Sequence, residues 1–167
     1  MRNNTFWILL LIVLTQFACK TKNQNQWLQF RGDGAMGIAP ENATPPIDFG
    51  TDKNILWKIE TPEGFSSPII CEDNLIITGI DGKKKYQIWN IDCNNGSVKW
   101  KKEILVDTLE YVHPVSSPAT ATPVSDGEYI YCYFPPKGLI CLDYEGNYIW
   151  ESAIEFEQVL QGSETRQ

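Results

Sequence analysis

One histidine, five cysteines and a scatter of carboxylates are what this chain offers for chemistry. His113 stands alone, and one imidazole cannot supply the three or four ligands that hold zinc. No Cys-x-x-Cys pair occurs. Ser66 and Ser116 lie in no Gly-x-Ser-x-Gly turn, the context that exposes and activates a nucleophilic hydroxyl. Asp33-Gly34-Ala35-Met36-Gly37 has the glycine punctuation of a metal loop, but it lacks the further carboxylates that a calcium ion requires. The preceding Arg31-Gly32-Asp33 reads as a by-product of a lead-in loop rather than as an adhesion ligand. The residues therefore predict no catalytic group, no cofactor-binding group and no metal site.

The constellation that does recur is adhesive. Asp92, Gly96 and Trp100 return as Asp143, Gly146 and Trp150. The glycine and the tryptophan repeat at a spacing of fifty, and the aspartate falls one residue out of step. Each part has a physical use. The aspartate can accept backbone hydrogen bonds at a turn, glycine permits positive φ, and the indole offers a large flat face and one N–H. Trp57, at the end of Ile55-Leu56-Trp57-Lys58-Ile59, has the same character. Ser66-Ser67-Pro68-Ile69 also returns fifty positions later, as Ser116-Ser117-Pro118-Ala119. A period near fifty is the length of a four-stranded propeller blade.

The elements that must position these residues are short strands. Ile69-Ile70, Leu75 to Thr78, Tyr86 to Ile91 and Val98 to Lys101 are rich in β-branched and aromatic residues. They are separated by turn chemistries such as Asp81-Gly82 and Asn94-Asn95-Gly96. The second copy predicts strands over Ala119 to Pro123, Tyr129 to Phe134, Leu139 to Asp143 and Tyr148 to Ser152. Pro68 and Pro118 are expected at strand starts, where a missing N–H does least harm. The Ile55 to Ile59 run predicts one further strand. Weak helical periodicity is confined to Ile154 to Leu160. The expected fold is all-β, a partial propeller of about two four-stranded blades plus one N-terminal strand.

Charge narrows the partners. With 14 Lys plus Arg against 21 Asp plus Glu, the net charge is −7. That balance argues against nucleic acid. Lys83-Lys84-Lys85 follows Asp81-Gly82 and fits a solvated hairpin tip. Four cysteines lie beyond Cys19: Cys71, Cys93, Cys132 and Cys141. Cys132 and Cys141 each lie three residues from the Pro135-Pro136-Lys137-Gly138 turn, so one reading is a cross-hairpin disulfide. The favoured reading is small core residues within strands.

The N-terminus reads MRNNTFWILLLIVLTQFACK. Arg2 supplies a positive start, and the apolar run from Phe6 to Ala18 is shorter than the ~20 residues that span a bilayer. This predicts a signal peptide. Ala18-Cys19 closes it in a way that resembles the lipobox of bacterial lipoproteins, in which the cysteine carries the lipids. Lys20 rather than aspartate at the next position resembles lipoproteins sent to the outer membrane. The expected organisation is a signal peptide over 1–18, a polar tether over 19–26, a lead-in segment over 27–54, a strand plus first blade over 55–103, a second blade over 104–152 and a polar tail over 153–167.

The Asp-Gly-Trp segments resemble the tryptophan-docking motif of bacterial pyrroloquinoline-quinone-like β-propeller repeat proteins. Trp27-Leu28-Gln29-Phe30-Arg31-Gly32 and Thr122-Pro123-Val124-Ser125-Asp126-Gly127 look like phrases of the same family. The resemblance covers roughly 27–152. It implies blades joined through Trp57, Trp100 and Trp150, and a complete ring of more blades than this sequence holds, so a truncated frame or one part of a split propeller is expected. Many relatives hold a quinone and calcium, but the adjacent Cys-Cys pair common in those dehydrogenases does not occur in this sequence. The favoured expectation is a non-catalytic, exported, lipid-anchored module of the cell envelope, without cofactor. It would bind other envelope proteins or the remaining blades, and the membrane through its lipid. Part of a quinone-dependent dehydrogenase and an inert fragment are the alternatives. Thr108 to Val115, the longest connection between blades, carries Tyr111 and His113 as candidate contact residues.

Overall fold

The computed structural model describes residues 26–154, apart from 83 and 110. Cys19, the signal segment and the tail from 155 onward lie outside the described residues. Among the described residues, nine strands form two antiparallel sheets in an open, propeller-like arrangement. Blade 1 contains β1 (Gln26–Trp27), β2 (Ile69–Cys71), β3 (Asn74–Ile80), β4 (Lys85–Asp92) and β5 (Val98–Leu105), hydrogen-bonded in that order. Blade 2 contains β6 (Val124–Ser125), β7 (Ile130–Phe134), β8 (Gly138–Leu142) and β9 (Tyr148–Ser152), also in chain order. Short turns join neighbouring strands from β2 to β5 and from β6 to β9, giving simple up-and-down meanders, while β1 pairs with β2 from far upstream in the chain. A 3-10 turn, Asp33–Ala35, lies in the lead-in segment.

Period-2 alternation decides which side chains meet. The register places Ile76, Ile88 and Trp100 on one face of blade 1, and Ile77, Trp89 and Lys101 on the other. In blade 2, Cys132 pairs with Ile140 on one face, while Cys141 pairs with Tyr131 and Trp150 on the other. The core lies between the sheets. Ile69, Ile76, Ile80, Tyr86, Ile88 and Ile104 of blade 1 meet Ile130, Cys132, Phe134, Ile140 and Leu142 of blade 2. At its centre the rings of Tyr86 and Phe134 lie 4.7 Å apart, tilted by 43°.

Two local expectations change. The extra N-terminal strand exists, but it is Gln26–Trp27 rather than Ile55 to Ile59. The latter run enters no ladder and passes along blade 1 as a strap, with Leu56 89% exposed. The first strand of blade 2 is Val124–Ser125, not Ala119 to Pro123. That earlier stretch is a crossover whose polar groups are satisfied by blade 1 and the strap. The Ala119 carbonyl accepts from Phe65 N–H at 2.9 Å, Thr122 Oγ1 from Ser67 N–H at 3.0 Å, and the Ala121 carbonyl from Thr78 Oγ1 at 3.1 Å. Trp27 is half-buried on β1, and Phe30 is 55% exposed.

The cysteines divide by face. Because Cys132 is opposite Ile140, Cys141 lies one residue on and points to the other side of its sheet. All four described cysteines are free. Burial pushes the Cys132 thiol far up, keeping it neutral. Phe134→Ala should empty the middle of the core. A loss of about 3–5 kcal/mol is expected, read as a lower urea midpoint with an unchanged slope.

Candidate functional site

Turn geometry prepares each docking place. In blade 1 the Asp92 carbonyl accepts from Gly96 N–H at 2.9 Å, and Asp92 Oδ1 accepts from Asn94 N–H at 2.8 Å. In blade 2 the Asp143 carbonyl accepts from Gly146 N–H at 3.1 Å, and Asp143 Oδ1 from Asn147 N–H at 2.7 Å. The Asn147 side chain and these backbone donors hold the Asp143 carboxyl below its ordinary range. Both turns bring the glycine to positive φ, 74° at Gly96 and 85° at Gly146. Glycine is required twice over, for the φ and for the missing Cβ.

An indole fills the space above each glycine. A methyl group at Gly96 would lie 2.7 Å from Trp57 Cδ2, and one at Gly146 would lie 3.0 Å from Trp100 Cδ2. The polar ends match as well. Trp57 Nε1–H donates to the Cys93 carbonyl at 2.8 Å, and Trp100 Nε1–H to the Tyr144 carbonyl at 2.8 Å. In each case the acceptor is the residue after the aspartate. The structure thus brings Asp92, Gly96 and Trp57 together, and Asp143, Gly146 and Trp100 together. Trp150 is set apart from both groups. It is 44% exposed on the outer face of blade 2, with its ring centroid 6.0 Å from that of Tyr131.

Several contributors are not marked by the repeat. Asn90 is fully buried, and its Nδ2 also donates to the Tyr144 carbonyl, at 3.2 Å. That one carbonyl therefore receives two side chains from blade 1. Lys102 Nζ lies 4.8 Å from the Tyr148 ring centroid, a cation–π contact across the same seam. Trp27 stacks on Gly32, whose added Cβ would fall 2.6 Å from Cε3 of that indole. The glycine of Arg31-Gly32-Asp33 is therefore covered. Trp27 and Gly32 are only five residues apart, so a search at the blade period passes over them. Asn90 carried no signal, since its counterpart in blade 2 is Cys141.

Other candidates are more dispersed. Ser125 Oγ contacts the Tyr144 hydroxyl at 2.6 Å and the Tyr129 carbonyl at 2.7 Å. Burial, and then the Cys71 thiol, push the Tyr144 hydroxyl up. Ser125 Oγ also accepts from the Gly127 N–H at 2.9 Å, which fixes the hydroxyl in place. Tyr111 is 92% exposed, and His113 is exposed with Nδ1 3.4 Å from Val115 N. Neither lines the cavity of about 590 Å³ beside their loop, which is bordered by Glu63, Phe65, Leu109, Ser116 and Ser117. Among the described residues no group of three or more His, Cys, Asp or Glu could hold a metal. No protein-family model matches the chain, and no curated protein matches it. What the fold and the docking geometry define is a pair of propeller-like blades joined by the indole of Trp100 seated on a glycine turn, with the indole of Trp57 seating the strap on blade 1 in the same way.

Two predictions follow from the turns. Gly146→Ala would place a non-glycine residue at φ 85° and a methyl against Trp100. A cost of about 1–3 kcal/mol is expected in denaturant melts, with Trp100→Phe, which keeps the ring stack but loses the N–H bond, costing about 1 kcal/mol.

The second concerns Tyr131, which donates to Asp126 Oδ2 at 2.7 Å. That bond pushes the phenol up to about 12. The Tyr129 N–H and then the Tyr131 hydroxyl hold Asp126 low. The contribution of the pair stands above the ordinary carboxylate range near ~4 and below a free phenol's ~10. It fades as pH falls through the lowered Asp126 value or rises through about 12. Asp126→Asn should bring the Tyr131 phenolate absorbance titration, measured against Tyr131→Phe, back toward ~10.

Proposed function

We propose that this chain is an exported, lipid-anchored protein of the pyrroloquinoline-quinone-like propeller-repeat type that acts as a non-catalytic binding module in the bacterial cell envelope. The observation that carries this reading is the docking array. Trp100, which recurs at the repeat period as Trp150, joins blade 1 to blade 2 over Gly146, and Trp57 seats the strap on blade 1 over Gly96. Blade 2 then presents a wholly exposed strand, β9, with Trp150 on it. Export and anchoring rest on Arg2, the Phe6 to Ala18 run and Ala18-Cys19. Several acyl chains hold a protein firmly to a bilayer, since each buried CH₂ contributes ~0.8 kcal/mol. The exposed Tyr111 and His113 are the proposed contact residues for an envelope partner.

Anchoring is tested by Cys19→Ser. The wild-type chain should incorporate labelled palmitate and sediment with membranes, and the variant should do neither. Equal behaviour of the two would remove the lipoprotein reading. For the loop, Tyr111→Ala with His113→Ala should leave the melting curve unchanged, because both side chains are exposed. The same pair of changes should abolish crosslinks from that loop to envelope proteins, and undiminished crosslinking would discard the loop as the contact.

A further inference from the structure

The strap does not end at Trp57. It runs on through Pro62, Glu63 and Gly64 to Phe65 and lies tightly on blade 1. Glu63 forms a single bridge with Ile80, whose N–H donates to the Glu63 carbonyl at 2.7 Å. A methyl group at Gly79 would lie 2.8 Å from Pro62 Cβ, and one at Gly64 would lie 2.9 Å from the Ala119 carbonyl oxygen. Pro62 and Gly64 thus close on the sheet and the crossover. Residues two apart along an extended run share a side, so Glu63 and Phe65 point the other way. Both are exposed, Phe65 at 64%. They border the cavity of about 590 Å³, together with Leu109, Ser116 and Ser117 of the crossover. This cavity sits at the end of the sheets rather than on a sheet face. Ile80, which also lines it, is the last residue of β3, and Gly82 belongs to the hairpin that follows. The bond from Phe65 N–H to the Ala119 carbonyl ties the strap side of the cavity to the crossover side.

The groups on its wall suit an organic cation. Glu63 brings a carboxylate that has no ion pair among the described residues, where Lys53 pairs with Asp48, Lys85 with Glu103 and Lys99 with Asp92. The Lys84 ammonium of the neighbouring hairpin is held by the Asp107 carbonyl at 2.7 Å. None of the described lining residues is Lys, Arg or His. Phe65 adds an aromatic ring, whose face attracts positive charge. Ser117 Oγ accepts from Ala119 N–H at 3.1 Å, and Ser116 N–H donates to the His113 carbonyl at 2.7 Å. Both hydroxyls are thereby positioned, and each keeps a lone pair to accept with. The volume falls within the ~300–1,000 Å³ of small-molecule sites. We propose that this cavity binds a small organic ammonium group. The Glu63 carboxylate and the Ser116 and Ser117 hydroxyls accept from its N–H donors, and its alkyl chain lies on Phe65 and Leu109. The net charge of −7 draws cations toward the molecule as a whole. The inference rests on the cavity and stands whether or not the chain is exported or anchored.

Ligand-observed NMR with n-butylammonium on the full chain tests this, with n-butanol and butyrate as the neutral and anionic controls. The ammonium should bind saturably, the controls should not, and binding should weaken as salt rises. Glu63→Gln should lower the affinity about tenfold, as the loss of one charge-assisted hydrogen bond does. Phe65→Ala should lower it about threefold, while Phe65→Tyr keeps it. Both positions are exposed, so the melting curves of these variants should match the parent's. Tighter binding of Nα-acetyl-lysine amide than of n-butylammonium would make the natural cation a protein side chain, and equal or weaker binding a free amine; both outcomes support the site. The proposal is overturned if neither amine binds saturably, or if Glu63→Gln binds like the parent. Butanol binding as well as the ammonium also overturns it, and leaves an apolar cleft only.

Discussion

An aromatic ring needs a flat place to lie, and a polypeptide offers one only where a side chain is missing. That constraint organises this molecule. The turns at Gly96 and Gly146 hold their glycines at positive φ and leave room for an indole directly against the backbone. The neighbouring carbonyl, Cys93 or Tyr144, then takes the indole N–H, so the ring is fixed in orientation as well as in depth. A hydrophobic face alone would allow two sheets to slide or rotate over one another. The paired stack and hydrogen bond remove that freedom, and the Tyr86 and Phe134 rings meet in the core of the same seam. The energy of the seam is mostly burial; its geometry comes from the two side chains, Trp100 and Asn90, that share the Tyr144 carbonyl.

Much of this could be read from the sequence where the cause is local. Asp, Gly and Trp at fixed spacing state a turn chemistry, a backbone conformation and a ring, each of which depends on the residue itself. Strands β4, β5 and β9 were readable for the same reason, being β-branched and aromatic runs between turn residues. The failures share another cause. Ile55 to Ile59 has strand composition but meets no partner edge, and a strand is a property of two segments. Ser116-Ser117-Pro118-Ala119 matches Ser66-Ser67-Pro68-Ile69 letter for letter over three positions. Even so, the Ala119 carbonyl accepts from Phe65 and the nearby Ala121 carbonyl from Thr78, and the ladder begins later, at Val124. Identity of residues at one period did not imply identity of hydrogen-bond partners.

The candidate site divides in the same way. Trp57, Trp100 and Trp150 were visible as a set, but which of them has a glycine beneath it is a matter of three-dimensional neighbours. Asn90 was invisible because only one blade uses it. The Cys132–Cys141 alternative depended on register. Symmetric placement about a turn suggests facing thiols, yet the pairing of Cys132 with Ile140 sends the two sulfurs to opposite sides.

The spacing inside the motif has a bearing on how such a chain can lengthen or shorten over generations. Asp92 precedes its glycine by four residues and Asp143 by three, so the turn before the glycine absorbs a change of length. From glycine to tryptophan both copies keep a separation of four. That stretch crosses from turn to strand, and one residue added or removed there would turn the ring to the other side of its sheet. Inherited insertions are therefore tolerable on one side of a single atom-poor residue and ruinous on the other. A gene built this way is free to vary at its turn tips but changes its strand starts only by whole repeats.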